Sequence, residues 1–158
     1  MRAMTRRGFL ASSAALAVLR PAFAAPTAPL PALRVSKDPN CGCCSGWVEH
    51  VRASGFSVDV VELADLAPLK ARLKIPDRLA SCHTGEVAGY AIEGHVPASA
   101  LKRLLAERPK ALGLAVPGMP VGSPGMEVAG RPNEAYDVMI FGTFGQRVFG
   151  RYSGAKEV

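Results

Sequence analysis

Three cysteines within four residues, Cys41-Gly42-Cys43-Cys44, constrain this chain more than any other feature. They follow a short strand candidate, Leu33-Arg34-Val35, and the turn sequence Asp38-Pro39-Asn40. They precede Ser45 to Ser54, which carries Trp47, Val48 and Val51 on one helical face and has Gly55 as its stop. A strand-to-helix corner is predicted. There the free amides of the first turn and the positive end of the helix dipole favour thiolate over thiol, so sulfur placed at the corner is reactive.

The pattern continues as an α/β chain. Phe56 to Leu63 alternates apolar and polar residues as a strand does, and Asp65 to Leu73 carries Leu66, Leu69 and Leu73 at helical spacing before Pro76. Val87 to Ile92 reads as a third strand, and Pro97 to Glu107 as a helix bearing Leu101, Leu104 and Leu105. A Gly/Pro-rich stretch covers Gly113 to Asn133. Tyr136 to Phe141 and Arg147 to Tyr152 then form a strand pair joined by Gly142 to Gln146. The expected architecture is one domain, residues 33–158, with a mixed β-sheet flanked by helices.

What precedes the domain reads as a leader. Thr5-Arg6-Arg7-Gly8-Phe9-Leu10, the apolar run Phe9 to Leu19, Pro21 and the small-residue site Ala22-Phe23-Ala24 resemble a twin-arginine export signal. Residues 1–24 are expected to be removed after Ala24, and 25–32 to form a proline-rich tether. The apolar run is about half the roughly 20 residues that span a bilayer, and no cysteine stands at the cleavage point. The expectation is a soluble periplasmic protein with neither a permanent membrane anchor nor a lipid one.

Composition bears on partners. The 158 residues are 49% hydrophobic and 20% charged, which fits a folded core, and the formal charge is +6. The leader holds four arginines and no acid, and beyond it 15 bases face 13 acids. No nucleic-acid partner is therefore expected.

Cys41 and Cys44 form a C-x-x-C pair, able to close a disulfide or bind a metal ion, and Cys43 complicates both options. Cys82-His83 lies some forty residues on, between the second helix and the third strand candidate, in a loop able to approach the same edge of the sheet. Four cysteines in an exported chain also fit two buried disulfides. The usual zinc spacing of two separated ligand pairs is absent, whereas crowded thiolates suit Cu(I), leaving zinc less favoured. Pro117-Gly118-Met119 and Pro124-Gly125-Met126 repeat a triplet that carries thioethers on a small-residue loop. His95, between a strand and a helix start, either faces the site or caps the turn. His50 reads as a solvated surface residue.

With these residues in view, CGCCSGW, SCHTGEVAGYAIEGHVPA with its following LKRLL helix, and GLAVPGMPVGSPGME are similar to successive blocks of a bacterial family of predicted metal-binding proteins that includes the periplasmic copper-resistance protein CopG. The similarity spans about Leu33 to Tyr152. It implies a thioredoxin-like fold, a role in copper homeostasis, several Cu(I) ions on the cysteine motif, and other periplasmic copper-handling proteins as partners. Carried onto this chain, it implies Cys41, Cys43, Cys44 and Cys82 as sulfur ligands, with His83, His95, Met119 and Met126 at matching positions. A thioredoxin-like fold also implies a cis-proline facing the cysteines, for which Pro97 and Pro117 are the candidates. The alternative function is a thiol-disulfide oxidoreductase with Cys41 attacking and Cys44 resolving. The third thiol argues against that conventional enzyme, because it would compete for either partner.

Overall fold

The computed structural model describes residues 29–158; the leader and most of the tether, 1–28, lie outside the described residues. Eight strands form one mixed sheet in the order β2-β1-β3-β4-β5-β6-β7-β8. The elements run β1 (Leu33–Lys37), α1 (Gly42–Ala53), β2 (Val58–Glu62), α2 (Ala67–Arg72), β3 (His83–Val87), β4 (Tyr90–Glu93), α3 (Ala98–Glu107), β5 (Gly113–Ala115), β6 (Ala135–Gly142), β7 (Gly145–Ser153) and β8 (Lys156–Glu157). A single 3-10 turn, Asp77–Leu79, lies between α2 and β3. β1 runs parallel to β2 and antiparallel to β3, and β3 runs antiparallel to β4. β5 joins β4 in parallel, and the β6–β7 hairpin continues the sheet beyond it. The expected mixed sheet with helices is observed.

Beside β5 and β8, which the sequence reading did not contain, two differences bear on the site. Helix α1 starts at Gly42 rather than Ser45, because Asp38 folds the preceding turn: its carboxylate accepts from the Asn40 amide at 2.7 Å and its carbonyl from Cys41 N at 3.1 Å. Cys43 and Cys44 thereby enter the first turn of the helix. The stretch Val87 to Ile92 is not one strand. Ala88 and Gly89, with φ of 47° and 85°, reverse the chain and split it into β3 and β4, a turn that only a positive-φ pair permits.

Alternation along β3 and β4 builds a core on each face of the sheet. One face buries Leu33, Val35, Val87 and Ile92 beneath Trp47, Val48 and Val51 of α1 and Leu101 and Leu104 of α3. The other holds a smaller cluster of Ile75, Leu79, Ala91, Ala115 and Phe141. The Trp47 indole N–H donates to the Val96 carbonyl at 2.8 Å and ties α1 to the segment entering α3. None of the described helices is long and apolar enough to cross a membrane.

Candidate metal centre

Cys41 caps α1 with extended backbone and offers no side-chain bond to the helix amides, so the amides of the first turn remain free beside the sulfurs. Cys41 and Cys44 are joined by a disulfide, the spacing that one helical turn brings into reach. Cys43 and Cys82 are free thiols. The Cys43 sulfur lies 3.5 Å from that of Cys41 and 4.0 Å from that of Cys82. All four cysteine sulfurs fall within 4.8 Å of one another, which brings Cys82 to the corner as the sequence predicts. The second disulfide of the all-disulfide reading is not formed.

Cys82 also belongs to a second group. Its sulfur lies 3.3 Å from Nδ1 of His83 and 3.2 Å from Nε2 of His95, and both imidazoles are fully buried. His95 faces the site rather than capping a turn. Its Nδ1 donates to the Pro124 carbonyl at 2.7 Å, which leaves the Nε2 lone pair toward Cys82. His83 packs against Trp47 with ring centroids 4.4 Å apart, and its Nε2 has no partner. The Cys82 sulfur can accept from Nδ1 of His83 while its hydrogen goes to Nε2 of His95, which leaves the buried Nε2 of His83 as the ring nitrogen without a partner.

Electrostatics keep the pocket uncharged in its metal-free state. Burial, then the neighbouring His95 and the Lys70 charge, hold His83 down to about 3, and burial also lowers His95. Burial, reinforced by Cys43, pushes the Cys82 thiol up to about 11. Neutral imidazole is the ligand form, and a metal binding here displaces the thiol proton.

The two glycine-methionine triplets frame the cluster. Gly118 accepts from the Ser81 hydroxyl at 2.9 Å, next to Cys82. Gly125, at φ 87°, passes so close to α1 that a Cβ there would lie 2.5 Å from the Cys43 carbonyl oxygen. Met119 is 53% exposed and Met126 is half-buried. His50 departs from the expected surface role: it is half-buried, and its Nε2 accepts from the Ala98 amide at 3.1 Å, capping α3, which begins without a side-chain cap of its own. Pro97 and Pro117 follow trans peptide bonds, and the segment that faces the cysteine corner, Ala80-Ser81-Cys82, presents a thiol instead of a proline.

One set of residues escaped the sequence reading. Glu93 is fully buried at the end of β4 and accepts from Lys70, from the Thr84 hydroxyl at 2.7 Å, and from the Ser81 amide, which anchors the backbone next to Cys82. Burial raises its pKa despite the Lys70 charge. An acid closing the apolar run Tyr90-Ala91-Ile92, two residues before His95, was the available signal.

The fold and the site together define an α/β protein with a sulfur-and-imidazole group able to bind metal. Two solved structures of a copper resistance protein, copG, in its forms 1 and 2, are each 45% identical to this chain with a TM-score of 0.73. They match 79% and 78% of this chain and 99% and 98% of their own. The family model described as a protein of unknown function, DUF411, matches residues 79–126, from the segment before Cys82 to Met126. No curated protein matches. The chain belongs to the family of these copper-resistance proteins.

Proposed function

We propose that this chain is an exported periplasmic protein of copper homeostasis and resistance, which holds Cu(I) as a multi-ion assembly on Cys41, Cys43, Cys44 and Cys82 within a thioredoxin-like fold. The observation that carries the reading is the arrival of Cys82, 38 residues from Cys44 in sequence, among the three sulfurs of the α1 corner. Thiolates at this density bridge soft monovalent ions, and the uncapped amides of α1 lie where the negative charge of such an assembly would gather. Two-electron reduction of the Cys41–Cys44 disulfide, with uptake of two protons, would free the remaining two sulfurs. The thioredoxin-like reading is supported by the connectivity of β1-α1-β2-α2-β3-β4-α3, with the cysteine corner at the end of β1. The leader motif supports the periplasmic reading, and His83, His95, Met119 and Met126 would complete or guard the assembly. The chain's partners would be other copper-handling proteins of that compartment.

Anaerobic titration of the reduced residues 25–158 with Cu(I), in competition with a chromogenic chelator, tests this. More than one tightly held ion per chain is expected, falling in Cys43→Ser. One ion or none, indifferent to that substitution, would overturn the reading. The closed Cys41–Cys44 disulfide favours a second one, thiol-disulfide exchange. In that case disulfide reductase activity would be lost in Cys41→Ser and kept in Cys43→Ser.

A further inference from the structure

We propose that Cys82, His83 and His95 form a metal site of their own, which persists while the Cys41–Cys44 disulfide is closed and takes one divalent ion of borderline character, such as Zn(II) or Co(II). The inference rests on the metal-binding reading above and goes beyond it by giving the two redox states different cargo. Closing the disulfide withdraws two sulfurs from the four-sulfur group but leaves the Cys82 group intact, because that group uses neither Cys41 nor Cys44.

The geometry fits an ion. The two sulfur-to-nitrogen separations, 3.3 Å and 3.2 Å, are close to the roughly 3.6 Å set by a thiolate and an imidazole sharing a tetrahedral zinc. His95 is already held by the Pro124 carbonyl in the tautomer that offers Nε2 as a ligand. Both imidazoles are fully buried, and one ligand atom from each lies within 4.8 Å of the Cys82 sulfur and of the other. Two nitrogens and one sulfur are a harder donor set than four sulfurs, and they suit borderline divalent ions rather than clustered Cu(I). The redox state of the corner thus selects the metal: one divalent ion with the disulfide closed, Cu(I) with it open.

The test uses residues 25–158 carrying Cys43→Ser, purified oxidised, so that Cys82 is the one free thiol, with mass spectrometry of the alkylated protein used to verify that the Cys41–Cys44 disulfide stays closed. Titration with Co(II) should saturate at one equivalent, with a thiolate-to-cobalt charge-transfer band that Zn(II) abolishes. Cys82→Ser and His95→Gln in this background should each weaken binding at least tenfold. Zn(II) should also slow alkylation of Cys82 at least tenfold, a readout that needs no ligand substitution and so survives a variant that fails to fold. No saturable binding, binding unaffected by folded forms of either substitution, or an unchanged alkylation rate overturns the proposal. Cu(I) binding by the reduced chain without Co(II) binding by the oxidised one rejects this inference alone. The reverse result rejects the Cu(I) reading and leaves this one standing.

Discussion

Strands β3 and β4 bury polar side chains on both faces of the sheet, and the two faces are finished differently. On one, Glu93 receives Lys70, the Thr84 hydroxyl and the Ser81 amide, so each buried donor has an acceptor. On the other, His83 and His95 share a single thiol, and one ring nitrogen has no partner. A closed network is a structural element, costly to break and of no use to a ligand. An open one leaves donor atoms, here the thiol and the two ring nitrogens that face it, which a metal can take over. The comparison separates support from site without reference to any relative.

The largest expected effect lies on the closed face. Glu93→Leu strands the Lys70 ammonium, which is little exposed, and removes the acceptor of Ser81 and Thr84. Breaking one partner of such a pair costs about 3–5 kcal/mol, to be read from urea unfolding of the metal-free protein. A loss below about 1 kcal/mol would show that the network is not closed and would break the comparison.

Next comes a pH dependence on the open face. His83 takes its proton near 6.5 when unfolded but only at about 3 when folded, so between those values the unfolded state holds the extra proton. Stability of the metal-free chain should therefore fall as pH drops from about 6.5 toward 3, by up to about 1.4 kcal/mol per pH unit from this residue. His95, also lowered, adds in the same direction. His83→Leu should flatten the slope of unfolding free energy against pH; a parallel curve would sink the assignment.

The smallest effect sharpens the contrast. Arg72, on the same helix as Lys70, pairs with Glu86 of β3, but in solvent. Arg72→Ala should change stability by about 0–1 kcal/mol in thermal unfolding, because water already screens the pair. A cost matching that of Glu93→Leu would mean that burial does not set these energies.

Much of the site was legible because its chemistry is concentrated. Cys41, Cys43 and Cys44 mark their own corner, and the adjacency of Cys82 and His83 marks the second strand of the site. The helices α1 and α3 follow from the spacing of Trp47, Val48 and Val51, and of Leu101 and Leu104. What stayed hidden depends on contacts across the sheet. Lys70 on a short helix reads as a solvated charge, and only the fold brings it to Glu93, 23 residues away. The turn at Ala88-Gly89 lacks the Asn or Asp that announces a hairpin, so β3 and β4 merge in the sequence reading. The role of His50 depends on an unmet amide at Ala98, which no local pattern announces.

The packing of Trp47 against His83 gives the molecule a built-in optical reporter. The chain has one tryptophan, and its ring is fixed by the bond to Val96 with the imidazole 4.4 Å away between centroids. Indole emission therefore comes from a single, immobile place, and a cation or a proton arriving on that imidazole acts directly on the excited state. Occupancy of the buried pocket can be followed by fluorescence in the unlabelled protein, without disturbing any sulfur.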